Sequence, residues 1–325
     1  MKTTKIEDIE IIELPTEWPI GPVNLLLIKG EKLTLVDAGR RLERAWDLFN
    51  AALNERGFSI MDIEQVVLTH HHTDHIGLLD WLLERNPIPV YAHPNCRPYL
   101  AQDEKYFKWA RTFFTTFFQE QGVPEKLIKR LASSNEDDEL KTKVDFINIE
   151  EGSLIPGLSE WRVIETKGHA QSHISLYRTR DQVLVSGDLL IKHMPSGIFL
   201  EAPIAPESIR SKPLIQYIES LEKCLTFPVS LALSGHGEAM EDVQQHIHET
   251  LRKIDKRAQR VKNFLRDGKK TSFQLIQCLY PDKYENALWL HLTDTVSLLD
   301  LLVARNEVQQ EAENGVVYYF VGVIV

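Results

Sequence analysis

The chain has 325 residues, 43% of them hydrophobic and 26% charged, with a formal charge of −10; this is the balance of a globular protein and the wrong sign for one that coats nucleic acid non-specifically. Its length predicts about two domains with enough chain for a large core. No apolar run reaches membrane-spanning length, Met1–Asp8 lacks a secretory-signal pattern, and three cysteines (Cys96, Cys224, Cys278) without framework spacing fit a reducing compartment, so a cytoplasmic location with no membrane partner is expected.

In chain order, Ile9–Leu14, Val23–Ile28 and Leu33–Val36 read as strands, the last two joined as a hairpin across Lys29-Gly30-Glu31. Leu42–Gly57 reads as a helix with a glycine stop. The apolar run Ile63–Leu68 predicts a buried strand that feeds into Thr69-His70-His71-His72-Thr73-Asp74-His75, where His70, His72, Asp74 and His75 put four good metal ligands within six residues. If the strand direction persists, alternation projects His70 and His72 to one side, where they can share a cation, and turns His71 away. Asp74 and His75 follow where the chain must turn into the apolar helical pattern Ile76 to Leu83, and can reach a second cation.

Val90–Ala92 reads as a strand ending at His93, near the expected mouth of the site. Pro98 to about Leu131 reads as helical and is rich in aromatics. Tyr106, Trp109, Phe113 and Phe117 make one face, with Phe107, Phe114 and Phe118 beside it, so burial on a wide front is required. It can be a packed insertion, against the body or a second subunit, or an apolar cap that receives an acyl or aromatic group. Strand-like Trp161–Thr166 then precedes Gly168-His169-Ala170-Gln171-Ser172-His173; Val183–Val185 precedes Ser186-Gly187-Asp188; Val229–Leu233 precedes Ser234-Gly235-His236. Every candidate ligand thus sits at or just beyond a strand end, where layered α/β folds place their chemistry.

These motifs, with Leu35-Val36-Asp37-Ala38-Gly39, resemble the metallo-β-lactamase superfamily over roughly residues 7 to 240: His-x-His-x-Asp-His, then Gly-His-x-x-x-His, a Gly-Asp pair and Gly-His, in order. The resemblance implies an α+β fold, a four-layer αββα sandwich. Carried over residue by residue, it implies that His70, His72 and His173 hold a first metal, that Asp74, His75 and His236 hold a second, and that Asp188 bridges them. Asp37 would brace the site from behind a ligand, Asp74 would also orient the nucleophile as a catalytic residue, and His169 would support the loop that presents His173. His193 reads equally as a lining of the substrate pocket or as a surface residue. Imidazoles and carboxylates without thiolate suit two divalent ions, zinc foremost, with iron or manganese as alternatives. Such a pair can lower the pKa of a shared water, so that hydroxide attacks the substrate.

After His236 the pattern changes. Asp242–Lys270 reads as a long polar helix, and residues 251–270 hold nine basic residues against Asp255 and Asp267, a local net of +7. Ser272–Tyr280, Ala287–Leu292 and Thr295–Asn306 then read as short helices, and Glu307–Val325 as a two-strand wing turning at Asn314-Gly315. This resembles the winged-helix-like domain of the β-lactamase-like protein 2 branch, whose members include single-strand-specific endoribonucleases. The expected domains are therefore 1–241, catalytic, with the helical insertion at about 98–135, and 242–325, a basic linker helix and winged-helix-like unit. Three functions follow: a small-molecule hydrolase resembling glyoxalase II and acting on a thioester, lactone or related acyl compound; an endoribonuclease with RNA as partner; or a nucleic-acid- or protein-binding module with structural metal. The aromatic segment makes a homodimer an expectation.

Overall fold

The computed structural model describes residues 6, 8–132, 140–205, 209–282 and 284–322. Parts of the sequence reading lie outside them: Met1–Lys5 and Glu7, the end of the helical segment past 132, and the last three residues of the wing. The described residues form two compact units, drawn from Met1–Asp103, Glu136–Gly197 and Ser220–His246 for the first and from Glu104–Asn135, Ile198–Glu219 and Ile247–Val325 for the second.

The first unit is built on two sheets. Strands β1 (Ile9–Leu14), β2 (Val23–Lys29), β3 (Leu33–Val36), β4 (Gln65–Val67), β5 (Val90–Ala92) and β6 (Ile147–Asn148) lie side by side in chain order, antiparallel as far as β3 and parallel from β3 onward. Strands β7 (Trp161–Glu165), β8 (Ile174–Arg178), β9 (Val183–Gly187) and β10 (Leu231–Ser234) form the second sheet, with β9 and β10 parallel. β2 explains the layering, because all its residues from Val23 to Ile28 are buried. Side chains alternate along a strand, so Leu25 and Leu27 join a core with Phe49 and Leu53 of helix α1 (Glu43–Glu55). Leu26 and Ile28 instead join Val163, Leu176, Val185 and Leu233 between the sheets. A strand buried on both faces reads as a continuous apolar run. Two short helices, α2 (Thr73–Ile76) and α3 (Leu79–Arg85), follow β4, and Leu79 and Leu82 of α3 complete the core that α1 builds. Helix α4 (Arg97–Leu100) follows β5. Sheet faces covered by helices and packed on each other give the four-layer α+β architecture expected.

The second unit gathers α5 (Glu104–Glu120), α6 (Glu125–Ala132), α7 (Pro213–Cys224) through its residues to 219, α8 (Val243–Phe264) from Ile247 onward, α9 (Ser272–Leu279), α10 (Leu288–Ala304) and the hairpin β11 (Gln309–Glu313) with β12 (Val316–Phe320). The aromatic segment is thus an insertion by chain order and part of the second unit in space. Phe117 and Phe118 of α5 share one core with Leu127 and Ile128 of α6, Phe273 and Ile276 of α9, and Leu292 and Val296 of α10. The Trp289 ring stands edge-on to Phe114 and Phe118 at centroid separations of 5.0 and 5.7 Å. The polar handles on the other stripe are engaged too: Tyr106 donates to the Ala202 carbonyl and Trp109 Nε1 to that of Pro203.

Two expectations shift in this unit. The helices expected at Ala287–Leu292 and Thr295–Asn306 are one continuous helix, because Thr293, in the polar break between them, is buried in it. The basic helix ends at Phe264, short of Lys270. The terminal hairpin turns where expected: Asn314 and Gly315 both have positive φ (51° and 81°), the backbone that a two-residue hairpin turn demands.

Candidate metal centre

The site lies in the first unit, where four strands end. Asp37 follows β3, His70 follows β4, Asp188 follows β9 and His236 follows β10. The chain stays extended through His72 (φ −63°, ψ 149°) and then enters α2, which turns Asp74 and His75 back toward the same point. One nitrogen each of His70, His72 and His169 converge: His72 Nδ1 lies 3.1 Å from His70 Nε2 and 2.8 Å from His169 Nε2. Asp74, His75 and His236 form a second group, with Asp74 Oδ2 3.2 Å from His236 Nε2 and 3.9 Å from His75 Nε2. Asp188 stands between the groups. Its Oδ1 is 3.5 Å from His75 Nε2, and its Oδ2 is 3.5 Å from both His169 Nε2 and His236 Nε2.

The hydrogen bonds behind these rings determine what the inner atoms can do. His169 Nδ1 donates to the Gly197 carbonyl, His236 Nδ1 to the Pro22 carbonyl and His75 Nδ1 to Asp37. Thr69 gives its backbone N–H to one Asp37 oxygen and its hydroxyl proton to the other, so its oxygen can only accept from His70 Nδ1, 3.0 Å away. A neutral imidazole that donates at Nδ1 keeps a lone pair at Nε2. Four lone pairs therefore face two carboxylates, acceptor against acceptor. Among the described residues the buried atoms His75 Nε2, His236 Nε2 and Asp188 Oδ1 have no hydrogen-bond partner, a costly arrangement unless cations supply the missing positive charge. The donor set fits divalent metal: six nitrogens and oxygens in two groups, a shared carboxylate, and outer hydrogen bonds fixing the tautomers of His70, His75, His169 and His236.

Electrostatics separate the groups. Burial, then the crowding of neighbouring histidines, holds His70 well below the usual imidazole range; burial also takes His72 down to about 4 and His169 to about 3. For His75 and His236 burial acts in the same direction but the carboxylates outweigh it, raising His75 well above the ordinary value and His236 to about 9. Burial would raise Asp188 and Asp74, yet His75 and His236 pull both below the usual carboxylate range. The carboxylates of Asp74 and Asp188 thus make the second group a place that favours positive charge, which a proton or a cation can supply.

His173 is not brought into either group. Its Nδ1 bonds Thr166 Oγ1 at 2.9 Å and its Nε2 accepts the backbone N–H of Asp188 at 3.0 Å, so both nitrogens are occupied; the structure puts His169 where the resemblance put His173. His173 abuts β8, where Thr166 takes its Nδ1 and Ser175 in turn bonds Thr166, the setting of a core imidazole. His71 turns away as alternation requires, stacking on Tyr99 with centroids 3.5 Å apart and meeting Ser172 Oγ at 2.7 Å. Asp37 lies behind the ligands, on Thr69 and His75. His193 is exposed and bonds the Ile20 carbonyl, in the same loop as Pro22. His93 pairs with Glu165 at 3.3 Å. Cys96 and Cys224 are buried away from these groups, and burial pushes the Cys224 thiol up to about 12.

A family model described as the metallo-beta-lactamase superfamily matches residues 18–236. The chain is 37% identical over 319 residues to the probable metallo-hydrolase YqjP of Bacillus subtilis, covering 96% of this chain and 98% of that one. It is 32% identical over 244 residues to the probable metallo-hydrolase YflN of the same organism, covering 73% and 83%. Among solved structures, the metallo-beta-lactamase family protein TTHA1429 from Thermus thermophilus matches with a TM-score of 0.79 at 23% identity, over 98% of this chain and 99% of that one, a likeness of fold.

Proposed function

The chain belongs to the metallo-beta-lactamase superfamily and is a metallo-hydrolase; from that premise we propose that it uses two divalent cations, zinc foremost, to hydrolyse a small thioester, lactone or related acyl compound. The observation that carries the reading is the set of inward lone pairs on His70, His72, His169, Asp74, His75 and His236 around the shared carboxylate of Asp188. In this reading His70, His72 and His169 hold one ion, Asp74, His75 and His236 the other, and Asp188 both. The ions, when bound, would polarise the substrate oxygen and lower the pKa of a water toward neutrality. Asp74 has a carboxylate at the edge of the second group, where an oxygen can orient the attacking water and receive its proton. Asp37 fixes two ring directions from behind, through His75 and through Thr69 on His70. His193, on the rim beside loop 16–22, contacts the substrate's outer part.

The test is hydrolysis of a thioester and lactone panel, beside a labelled single-stranded RNA, by metal-replete protein with His72→Ala as control. Turnover of an acyl compound alone, lost in the variant, upholds the proposal; metal-dependent RNA cleavage, lost in the variant, replaces it with the endoribonuclease reading. One observation favours that second reading. Among the described residues Arg252, Lys253 and Lys256 make no ion pair and leave part of α8 basic, as does Arg266 just beyond it, ahead of helices and a hairpin that we read as winged-helix-like.

A further inference from the structure

A buried chain of hydrogen bonds runs behind Asp188, and its direction is set by its first member. The Asp188 backbone N–H can only donate, and it points at His173 Nε2, 3.0 Å away. That nitrogen must accept, so the ring's proton is on Nδ1 and goes to Thr166 Oγ1 at 2.9 Å. Thr166, having accepted, gives its own proton to Ser175 Oγ at 2.8 Å, and Ser175 donates to the Ser186 carbonyl at 3.4 Å. The chain returns to within two residues of its start. Thr166, His173, Ser175 and Ser186 are all fully buried, so no solvent competes for any link. The enclosed turn, Ser186-Gly187-Asp188, is tight: Gly187 has φ +50°, and a Cβ there would stand 2.7 Å from His173 Nε2.

We propose that His173 is a positioning residue: its imidazole, with Thr166 and Ser175, clamps the end of β9 so that the Asp188 carboxylate reaches both ligand groups at once. The proposal rests on the two-metal reading. Asp188 needs this more than any other ligand, because its carboxylate reaches both groups at once, Oδ1 toward His75 of the second and Oδ2 toward His169 of the first and His236 of the second. A small rotation about its backbone would satisfy one group at the other's expense. His70, His75, His169 and His236 are each oriented through Nδ1; Asp188 is oriented through its backbone, with His173 accepting its N–H and Ser196 Oγ donating to its carbonyl at 2.6 Å.

The test is titration of Mn(II) into the metal-free full-length protein, reading stoichiometry and affinity by calorimetry, exchange coupling between the two ions by electron paramagnetic resonance, and Tm. Wild type should take two equivalents and show coupling. His173→Leu should lose the coupling and bind the pair about 10–100-fold more weakly, the range typical of outer-sphere partners. His173→Gln, whose Oε1 can accept the Asp188 N–H, should recover most of both. Thr166→Val, which frees the ring to adopt the wrong tautomer, should fall between them at near wild-type Tm, and it carries the test if His173→Leu does not fold. Wild-type coupling and affinity in both His173→Leu and Thr166→Val would overturn the proposal, as would His173→Gln no better than His173→Leu, or affinity that merely tracks Tm across the set. Wild-type protein binding fewer than two equivalents would overturn the two-metal reading and this proposal together; two equivalents with unaffected variants would overturn this proposal alone.

Discussion

The two units treat charge in opposite ways. In the first, histidines and carboxylates converge, buried, with acceptors facing acceptors. In the second, the basic stretch 251–270 disperses its cations and the fold pairs three of them: Arg257 with Asp294 and Lys262 with Glu307 at 2.7 Å on α8, and Lys269 beyond it with Glu311 and Glu313, while the acidic Asp255 of α8 takes Arg305 at 2.9 Å. A local count of +7 therefore overstates what α8 can offer a polyanion. The contrast teaches that a charge count becomes informative only once pairing is known, whereas unpaired buried acceptors point to a ligand directly.

The largest expected effect breaks the first unit's arrangement at its least anticipated member. His169→Ala should remove one of the three nitrogens of the first group, lower metal content to about one ion per chain by elemental analysis, and cut turnover more than about 100-fold, beyond the range for outer partners. Retention of two ions and full activity would return the ligand role to His173. Next comes Asp37→Asn, which leaves the ligands intact but weakens the acceptor that orients His75 and Thr69. Metal affinity by competition with a chelator should fall about 10–100-fold, with far less change in the folded structure by circular dichroism.

Much of this comparison was legible beforehand, and what was not has physical causes. Strand boundaries at Ile9–Leu14 and Leu33–Val36 follow from aliphatic-rich segments bounded by Asp8 and Pro15 and by Lys32 and Asp37, and the ligand cluster at 70–75 follows from residue type and alternation. The choice between His169 and His173 did not follow, because spacing names two histidines in one loop and only their hydrogen-bond partners separate them. Nor did the spatial home of the aromatic segment: the width of its apolar front shows that α5 must be buried broadly, but nothing in a periodicity names α9 and α10 as its neighbours. Leaving Thr293-Asp294 as a break mistook helix positions, Thr293 buried and Asp294 half-buried, for a loop.

A smaller effect shows how the first unit handles a buried charge that does have partners. Arg178 is 1% exposed and is held by Asp8 and by Asp181, whose oxygens lie 2.9 Å from Nε and 2.7 Å from Nη2. Burial would raise the Asp8 carboxyl, but the hydrogen bond and charge of Arg178 prevail and lower it. A carboxylate with a depressed folded-state pKa adds stability above its unfolded value near 3.9, and that stability is lost as pH falls through the folded value. Asp8→Asn should therefore lower Tm at pH 7 and converge with wild type in acid. A constant offset at all pH values would assign the loss to packing rather than to charge.

The smallest effect is expected where the charge count drew attention first. Arg252 and Lys256 lie on α8 without ion pairs among the described residues, so they are the cations a polyanion would meet. Charge reversal of both, Arg252→Glu with Lys256→Glu, should leave acyl turnover within about twofold, since screening beyond about 10 Å at 0.1 M salt mutes exposed charges. Against single-stranded RNA the same variant discriminates sharply. If those cations contact phosphates, the slope of log K against log salt should flatten by about 0.7 per lost contact; an unchanged slope would leave the basic helix no role in binding RNA. Neutralised cations elsewhere on α8 and the acidic β11 strand, with Glu311 and Glu313, make the unchanged slope the expected result.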